Sequence, residues 1–129
     1  MAKFELKVPM RLLSEANIHQ HWRKKHERNK KQQAAVRLTW LSKRPCVSLP
    51  CKVSLTRSGP RKLDYDNLVY AFKAIRDEVA GLLIPGRKDG QADSDERIEW
   101  IYSQEIGLYG ICIEIEETKL RDEHHMEDC

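Results

Sequence analysis

Apolar and polar positions alternate in four stretches of the chain, and this period is typical of half-buried β-strands. The stretches are residues 3–9, 51–57, 97–104 and 107–116. Pro9 ends the first stretch, and Ser58-Gly59-Pro60 predicts a turn after the second. In the third stretch, Ile98, Trp100 and Tyr102 fall on the same side of the strand. The pattern therefore predicts four strands.

Two other stretches have a helical composition, residues 22–41, which Pro45 follows, and residues 66–83. The modest apolar face of the first consists of Ala34, Ala35, Leu38 and Leu41. The apolar residues of the second, three or four positions apart, are Leu68, Phe72, Ile75, Val79 and Leu82 or Leu83. The order β-α-β-α-β-β predicts an α/β (α+β) fold, a small mixed four-stranded sheet packed against two helices.

The length of 129 residues predicts one domain, which we expect over residues 1–118 and followed by a charged, flexible tail at 119–129. No run of about 18 apolar residues and no secretory signal is visible, so we expect no membrane contact. The four cysteines form no CxxC pair, which favours reduced thiols, a cytoplasmic location and no zinc. Cys46, Cys51 and Cys112 are predicted strand residues. Walker and Rossmann glycine patterns are missing, so no nucleotide cofactor is expected.

The net charge of +3 conceals a strong asymmetry along the chain. Residues 1–62 hold 16 basic and 3 acidic side chains, a net of +13. Residues 63–129 hold 7 basic and 17 acidic side chains, a net of −10. A basic half joined to an acidic half predicts a polyanionic partner, although a solvated basic helix would give the same asymmetry.

Two acidic clusters are candidates for chemistry. Asp64 and Asp66, followed by Asn67, directly precede the second predicted helix, and Asp93-Ser94-Asp95-Glu96 precedes the third predicted strand. Carboxylates from two elements are typical ligands of Mg²⁺ if that strand pairs near the start of the helix, so that Asp95 reaches the other two. The alternative is ordinary helix capping, for which aspartate is also favoured.

Basic side chains accompany these clusters. Lys73 follows Asp66 by seven residues and shares its helix face with Tyr70 and Asp77, so it can contact a phosphate oxygen. The alternative is a surface ion pair between Lys73 and Asp77. Other candidates for DNA backbone contacts are Arg23, Lys24, Lys25, Arg28, Lys30, Arg61 and Lys62. A solvated helix face would also explain the basic run of residues 23–30.

The acidic motif resembles the RusA family of Holliday junction resolvases. The resemblance rests on Asp64-x-Asp66-Asn67-Leu68, on Asp95-x-x-Ile98, on the early Ser14-x-x-Asn17 with His21-Trp22, and on the order of elements. It covers roughly residues 3–117. One departure is Tyr70, which occupies the position where the family often has a lysine, so Lys73 is the candidate for that role.

The resemblance implies an endonuclease that depends on Mg²⁺, with Mn²⁺ as a substitute, and acts as a homodimer on four-way DNA junctions. It implies paired nicks in DNA recombination and repair, in a bacterial or phage setting. Asp64, Asp66 and Asp95 would be the catalytic metal ligands, Asn67 a supporting residue and Lys73 a further catalytic residue. The alternatives are a structure-selective nuclease for flaps or forks, an inactive junction-binding protein, and an interaction domain that does not bind DNA.

Overall fold

A mixed four-stranded sheet forms one layer of the structure, a computed structural model that describes residues 3–13, 22–86 and 91–118. Its strands are β1 (Lys3–Val8), β2 (Cys51–Gly59), β3 (Ile98–Ile106) and β4 (Gly110–Glu117). Their order across the sheet is β1-β4-β2-β3. Strand β4 pairs antiparallel with β1 and β2, whereas β3 pairs parallel with β2. The predicted fold class is therefore confirmed.

The helices are α1 (Trp22–Lys43), α2 (Tyr65–Ala71) and α3 (Lys73–Leu83), with a short 3₁₀ turn at Ala92–Ser94. The predicted helix at 66–83 is thus divided at Phe72, whose φ and ψ are −87° and 0°. The Phe72 amide donates to the carbonyls of both Leu68 and Val69, each at 3.2 Å, so the break is slight. Because β2 and β3 are parallel, the chain between them must cross back along the sheet, and α2 and α3 form that crossover.

The core lies between one face of the sheet and the helices. Its fully buried side chains include Leu6, Val36, Val53, Leu55, Leu68, Phe72, Ile75, Val79, Ile113 and Ile115. The strand members occupy alternate positions, and the members from α2 and α3 recur every three or four residues, as the sequence pattern predicts. Burial of this apolar surface is the main force that holds the helices on the sheet.

The predicted apolar face of α1 is wrong at its two leucines, although Ala35 packs against the core. Leu38 and Leu41 are 68% and 58% exposed, whereas Val36 is fully buried. The helix contacts α3 partly through polar groups, because the Arg37 guanidinium donates to the Glu78 carboxylate at 2.9 and 3.2 Å. Two exposed leucines are compatible with folding, since single apolar residues are common on protein surfaces.

Several local predictions are also corrected. Ser58 and Gly59 belong to β2 and not to a turn, and Cys46 lies in the connection after α1 and not in a strand. Cys51 and Cys112 are free thiols, but Cys46 is disulfide-bonded, contrary to the expectation of reduced cysteines.

Two predictions concern segments outside the described residues, the early motif from Ser14 to His21 and the tail at 119–129. Among the helices of the described ranges, none is both long and apolar enough to cross a membrane.

Candidate functional site

The first acidic segment occupies the start of α2. Asp64 stands at the N-cap position, and its carbonyl accepts from the Leu68 amide at 2.8 Å, but its side chain makes no capping hydrogen bond. The helix begins at Tyr65, one residue earlier than predicted, so Asp66 lies in the first turn and not at the cap. Both carboxylates are exposed. The capping alternative is therefore not realised by the side chain at the cap position.

Two inward-facing strand residues fix the loop that leads to Asp64. The Gln104 side chain binds the backbone of Leu63 on both sides, accepting from its amide at 2.8 Å and donating to its carbonyl at 2.7 Å. Arg57 is only 2% exposed and donates to the carbonyls of Arg61 and Leu12, each at 2.6 Å. Sequence reasoning missed both roles, although two polar residues at predicted inward positions were a detectable signal.

A cavity of about 470 Å³ opens beside this segment, between α2, α3 and β3. We call it the Asp66 cavity, and its lining residues are Tyr65, Asp66, Val69, Tyr70, Lys73, Arg76, Asp93 and Tyr102. Asp66 and Lys73 line it together, which confirms that they share one face. Lys73 also lies 3.9 Å from the Asp77 carboxylate, so the surface ion pair is present as well.

A smaller cavity of about 200 Å³ lies between α1 and the same helices. We call it the Lys25 cavity, and its lining residues are Lys25, Asn29, Gln33, Tyr70, Lys73, Ala74 and Asp77. Tyr70 and Lys73 therefore form a wall shared by both cavities. The Lys25 ammonium donates to the Tyr70 hydroxyl and lies 4.7 Å from the centre of its ring. This contact joins the basic helix to the acidic one.

The other predicted DNA contacts belong to α1 or to the loop before Asp64. On α1, Arg23, Lys24 and Lys30 are exposed, and Arg28 is half-buried. Arg61 and Lys62 are exposed in the loop that enters α2, and Asn67 is half-buried in its first turn. The Lys25–Tyr70 contact and the Arg37–Glu78 ion pair join the basic part of the sequence to the acidic part.

The second acidic segment contributes Asp93 to the Asp66 cavity. The Arg76 guanidinium is 3.2 Å from the Asp93 carboxylate and donates to the Asp93 carbonyl at 3.0 Å. The same guanidinium donates to the Tyr102 hydroxyl at 2.8 Å, and the Trp100 indole donates to the Asp93 carbonyl at 3.1 Å. Arg76 therefore fixes the 3₁₀ turn against α3 and β3.

Asp95 is placed differently from the prediction. Its two carboxylate oxygens accept from the Arg97 guanidinium at 3.0 and 2.9 Å, and the pair raises the pKa of Arg97. Asp95 is not among the residues that line the Asp66 cavity. Because β3 runs parallel to β2, its first residue pairs with Cys51, at the opposite end of β2 from Gly59 and the loop to Asp64. The third strand therefore begins away from the start of α2, whereas the predicted three-carboxylate site requires it to begin beside that end of the helix.

The three predicted ligands do not fit a shared cation as they are placed. Within residues 3–13, 22–86 and 91–118, the only group of three potential metal ligands within 4.8 Å is Glu5, Cys112 and Glu114. Lys7 and Lys3 lie 3.9 and 3.5 Å from the two glutamates. Burial, with the two glutamates, raises the pKa of Cys112 to about 11, so its thiol is a poor ligand at neutral pH. We assign no metal site to this group.

Comparison with known proteins adds no family assignment. No protein-family model matches the chain, and no curated protein matches it.

Proposed function

We propose that the chain is an endonuclease of the RusA type that binds branched DNA and cleaves it in a Mg²⁺-dependent reaction. The observation that carries this proposal is the contact of Lys25 with Tyr70, which joins the basic part of α1 to the Asp66 cavity. Cationic helix surfaces bind the DNA backbone without regard to sequence. A strand held by α1 would therefore pass the opening that Asp66 and Lys73 line.

The shared wall of the two cavities offers two donors, Lys73 and Tyr70, to a phosphodiester. Lys73 is 66% exposed at its side chain and can contact a phosphate oxygen at little cost, because an exposed ion pair is weak. Tyr70 offers a hydroxyl on the same wall. Preorganised donors of this kind stabilise charge that develops on the phosphate during cleavage.

The carboxylates of Asp64 and Asp66 are the proposed protein ligands of Mg²⁺. This ion is often held by one or two carboxylates together with substrate phosphates, so the proposal does not require a preassembled set of three. Asp95 can join only if its oxygens leave Arg97 and the start of β3 moves toward α2. In the described residues, these carboxylates do not form a group of three ligands around a shared point.

A homodimer is part of the proposal, because a four-way junction has approximate two-fold symmetry and a C2 dimer places one site on each cut strand.

One observation favours a second candidate function. The three predicted ligands are not assembled, which would also suit a protein that binds junctions without cutting them.

The test is incubation of the intact chain with junction, fork, flap and duplex DNA, with Mg²⁺ or with a chelator. We expect paired nicks in the junction only when Mg²⁺ is present. Stronger cutting of forks or flaps would change the substrate class, and tight junction binding without nicks would favour the second candidate. Cutting in chelator would contradict the proposed metal dependence.

A further inference from the structure

We propose that the Asp66 cavity binds an unstacked nucleobase of branched DNA, with Tyr65 as the stacking surface. The inference rests on the proposed function only in taking branched DNA as the ligand. Tyr65 precedes Asp66 directly, lines the cavity and is 62% exposed. Proteins that hold unpaired bases stack them on exposed aromatic rings beside basic residues, and Lys73 lines the same cavity as Tyr65.

Tyr65 is better suited to stacking than Tyr70, the other exposed aromatic residue of the cavity. Tyr70 is 43% exposed, but its hydroxyl already accepts from the Lys25 ammonium, which lies 4.7 Å from the ring centre. Tyr65 instead meets Tyr102 at 88° between ring planes, with centroids 6.3 Å apart. This perpendicular contact holds the Tyr65 ring while most of its surface stays exposed.

The floor of the cavity is rigid, which lowers the entropic cost of binding a base. Tyr102 forms that floor, because Tyr65 and Phe72 contact its ring and Arg76 donates to its hydroxyl. Arg76 is held in turn by Asp93 and lies 4.7 Å over the Trp100 ring. The floor therefore needs little rearrangement when a base enters.

The position of the Tyr65 ring beside Asp66 and Lys73 indicates that the bound base would come from the branch point of the DNA. A nucleotide whose phosphate contacts Lys73 has its base within reach of Tyr65, since both side chains line one cavity. Bases at a branch point lose stacking partners more readily than bases inside a duplex, so less energy is needed to expose them. The cavity would thus favour branched over continuous DNA.

The test is a two-by-two binding experiment in chelator, so that no cleavage occurs. The protein is wild type or Tyr65→Ala, and the junction is intact or carries an abasic nucleotide at the branch point. We expect either change alone to weaken binding about tenfold. Both together should weaken it no further, because each removes one partner of the same contact.

Controls separate stacking from folding and charge. Tyr65→Phe keeps the ring and should bind like the wild type, and Tyr109→Ala removes an exposed tyrosine of the β3–β4 connection, outside the cavity. Affinity for unbranched duplex should not change in any variant. Unchanged junction affinity in Tyr65→Ala, or additive losses in the two-by-two experiment, would overturn the inference. Junction binding that depends on Tyr65 without any Mg²⁺-dependent nicking would uphold the inference and contradict the proposed nuclease.

Discussion

The two acidic segments of this chain look alike in sequence but differ in how their carboxylates are engaged. Asp64 and Asp66 are exposed at the start of α2, and the Asp64 side chain makes no capping bond. The second segment is held by arginines, with Asp93 bound to Arg76 and Asp95 bound to Arg97. The two aspartates of this segment are therefore already paired with protein charges.

The difference shows that an acidic motif is not yet a cation site. A cation competes with a bound guanidinium for the same oxygens, and it gains less where that guanidinium is well placed. The Asp95 pair is closed on both oxygens, whereas the Asp66 carboxylate faces a cavity large enough for a phosphate. We therefore expect the first segment to be the primary Mg²⁺ site. The second can bind the ion only after its carboxylates leave their arginines.

Among substitutions of basic residues, the largest effect on cleavage should come from Lys73, which lines the Asp66 cavity. Lys73→Ala should slow junction cleavage at saturating DNA by about tenfold to a hundredfold, because it removes the charge that we propose stabilises the transition state. Single-turnover rates measure this, with Lys73→Arg as the variant that keeps the charge. If only DNA affinity falls, Lys73 is a backbone contact, and if nothing changes, its role is the ion pair with Asp77.

The elements of the fold were predictable because they rest on local patterns. Alternation placed the strand residues of the core, and the spacing of Leu68, Phe72, Ile75 and Val79 predicted the face that packs on the sheet. The order of strands was not predictable, because the parallel pairing of β2 with β3 depends on contacts between residues far apart in sequence. That pairing decides where Asp95 lies.

The site was predictable only in part. The common face of Asp66 and Lys73 follows from helical periodicity, and the cavity that both line confirms it. The bonds of Arg76 to Asp93 and of Arg97 to Asp95 were not predictable, since a charge pattern does not say which partner an arginine selects. The same holds for the contact of Lys25 with Tyr70, 45 residues apart.

A smaller effect is expected from the basic residues of α1. They should contribute to DNA affinity whichever acidic segment binds the metal. Substitution of Arg23, Lys24 and Lys30 by glutamine should flatten the slope of log affinity against log salt by up to about 3 units. Junction binding titrated at several salt concentrations measures the slope. Substitution of Lys3, Lys7 and Lys52, on the opposite face of the sheet, is the control and should leave it unchanged. Equal slopes in the two triple variants would place DNA elsewhere.

The smallest effect should come from opening the second segment. Arg97→Gln frees the Asp95 oxygens, so if bound DNA brings the start of β3 toward Asp66, half-maximal cleavage should need about two- to fivefold less Mg²⁺, because the ion pair no longer competes. A Mg²⁺ titration of the cleavage rate measures this. Arg37→Gln removes a similar pair, with Glu78 on α3, and should have no effect. A higher Mg²⁺ requirement in Arg97→Gln would show that Arg97 orients Asp95 and does not compete for it.

The central claim is that DNA is cut at the Asp66 cavity, and carboxylate-to-amide substitution tests it most directly. Junction binding and cleavage are measured on the same samples of wild type, Asp66→Asn and Glu114→Gln, the last from the acidic group on the other face of the sheet. We expect Asp66→Asn to bind normally and cut at least about a hundredfold more slowly, because an amide is a poor Mg²⁺ ligand.

Asp64→Asn and Asp95→Asn should show the same loss if all three carboxylates act together, and Glu114→Gln should cut like the wild type. An Asp66→Asn protein that cuts junctions at the wild-type rate would contradict the account.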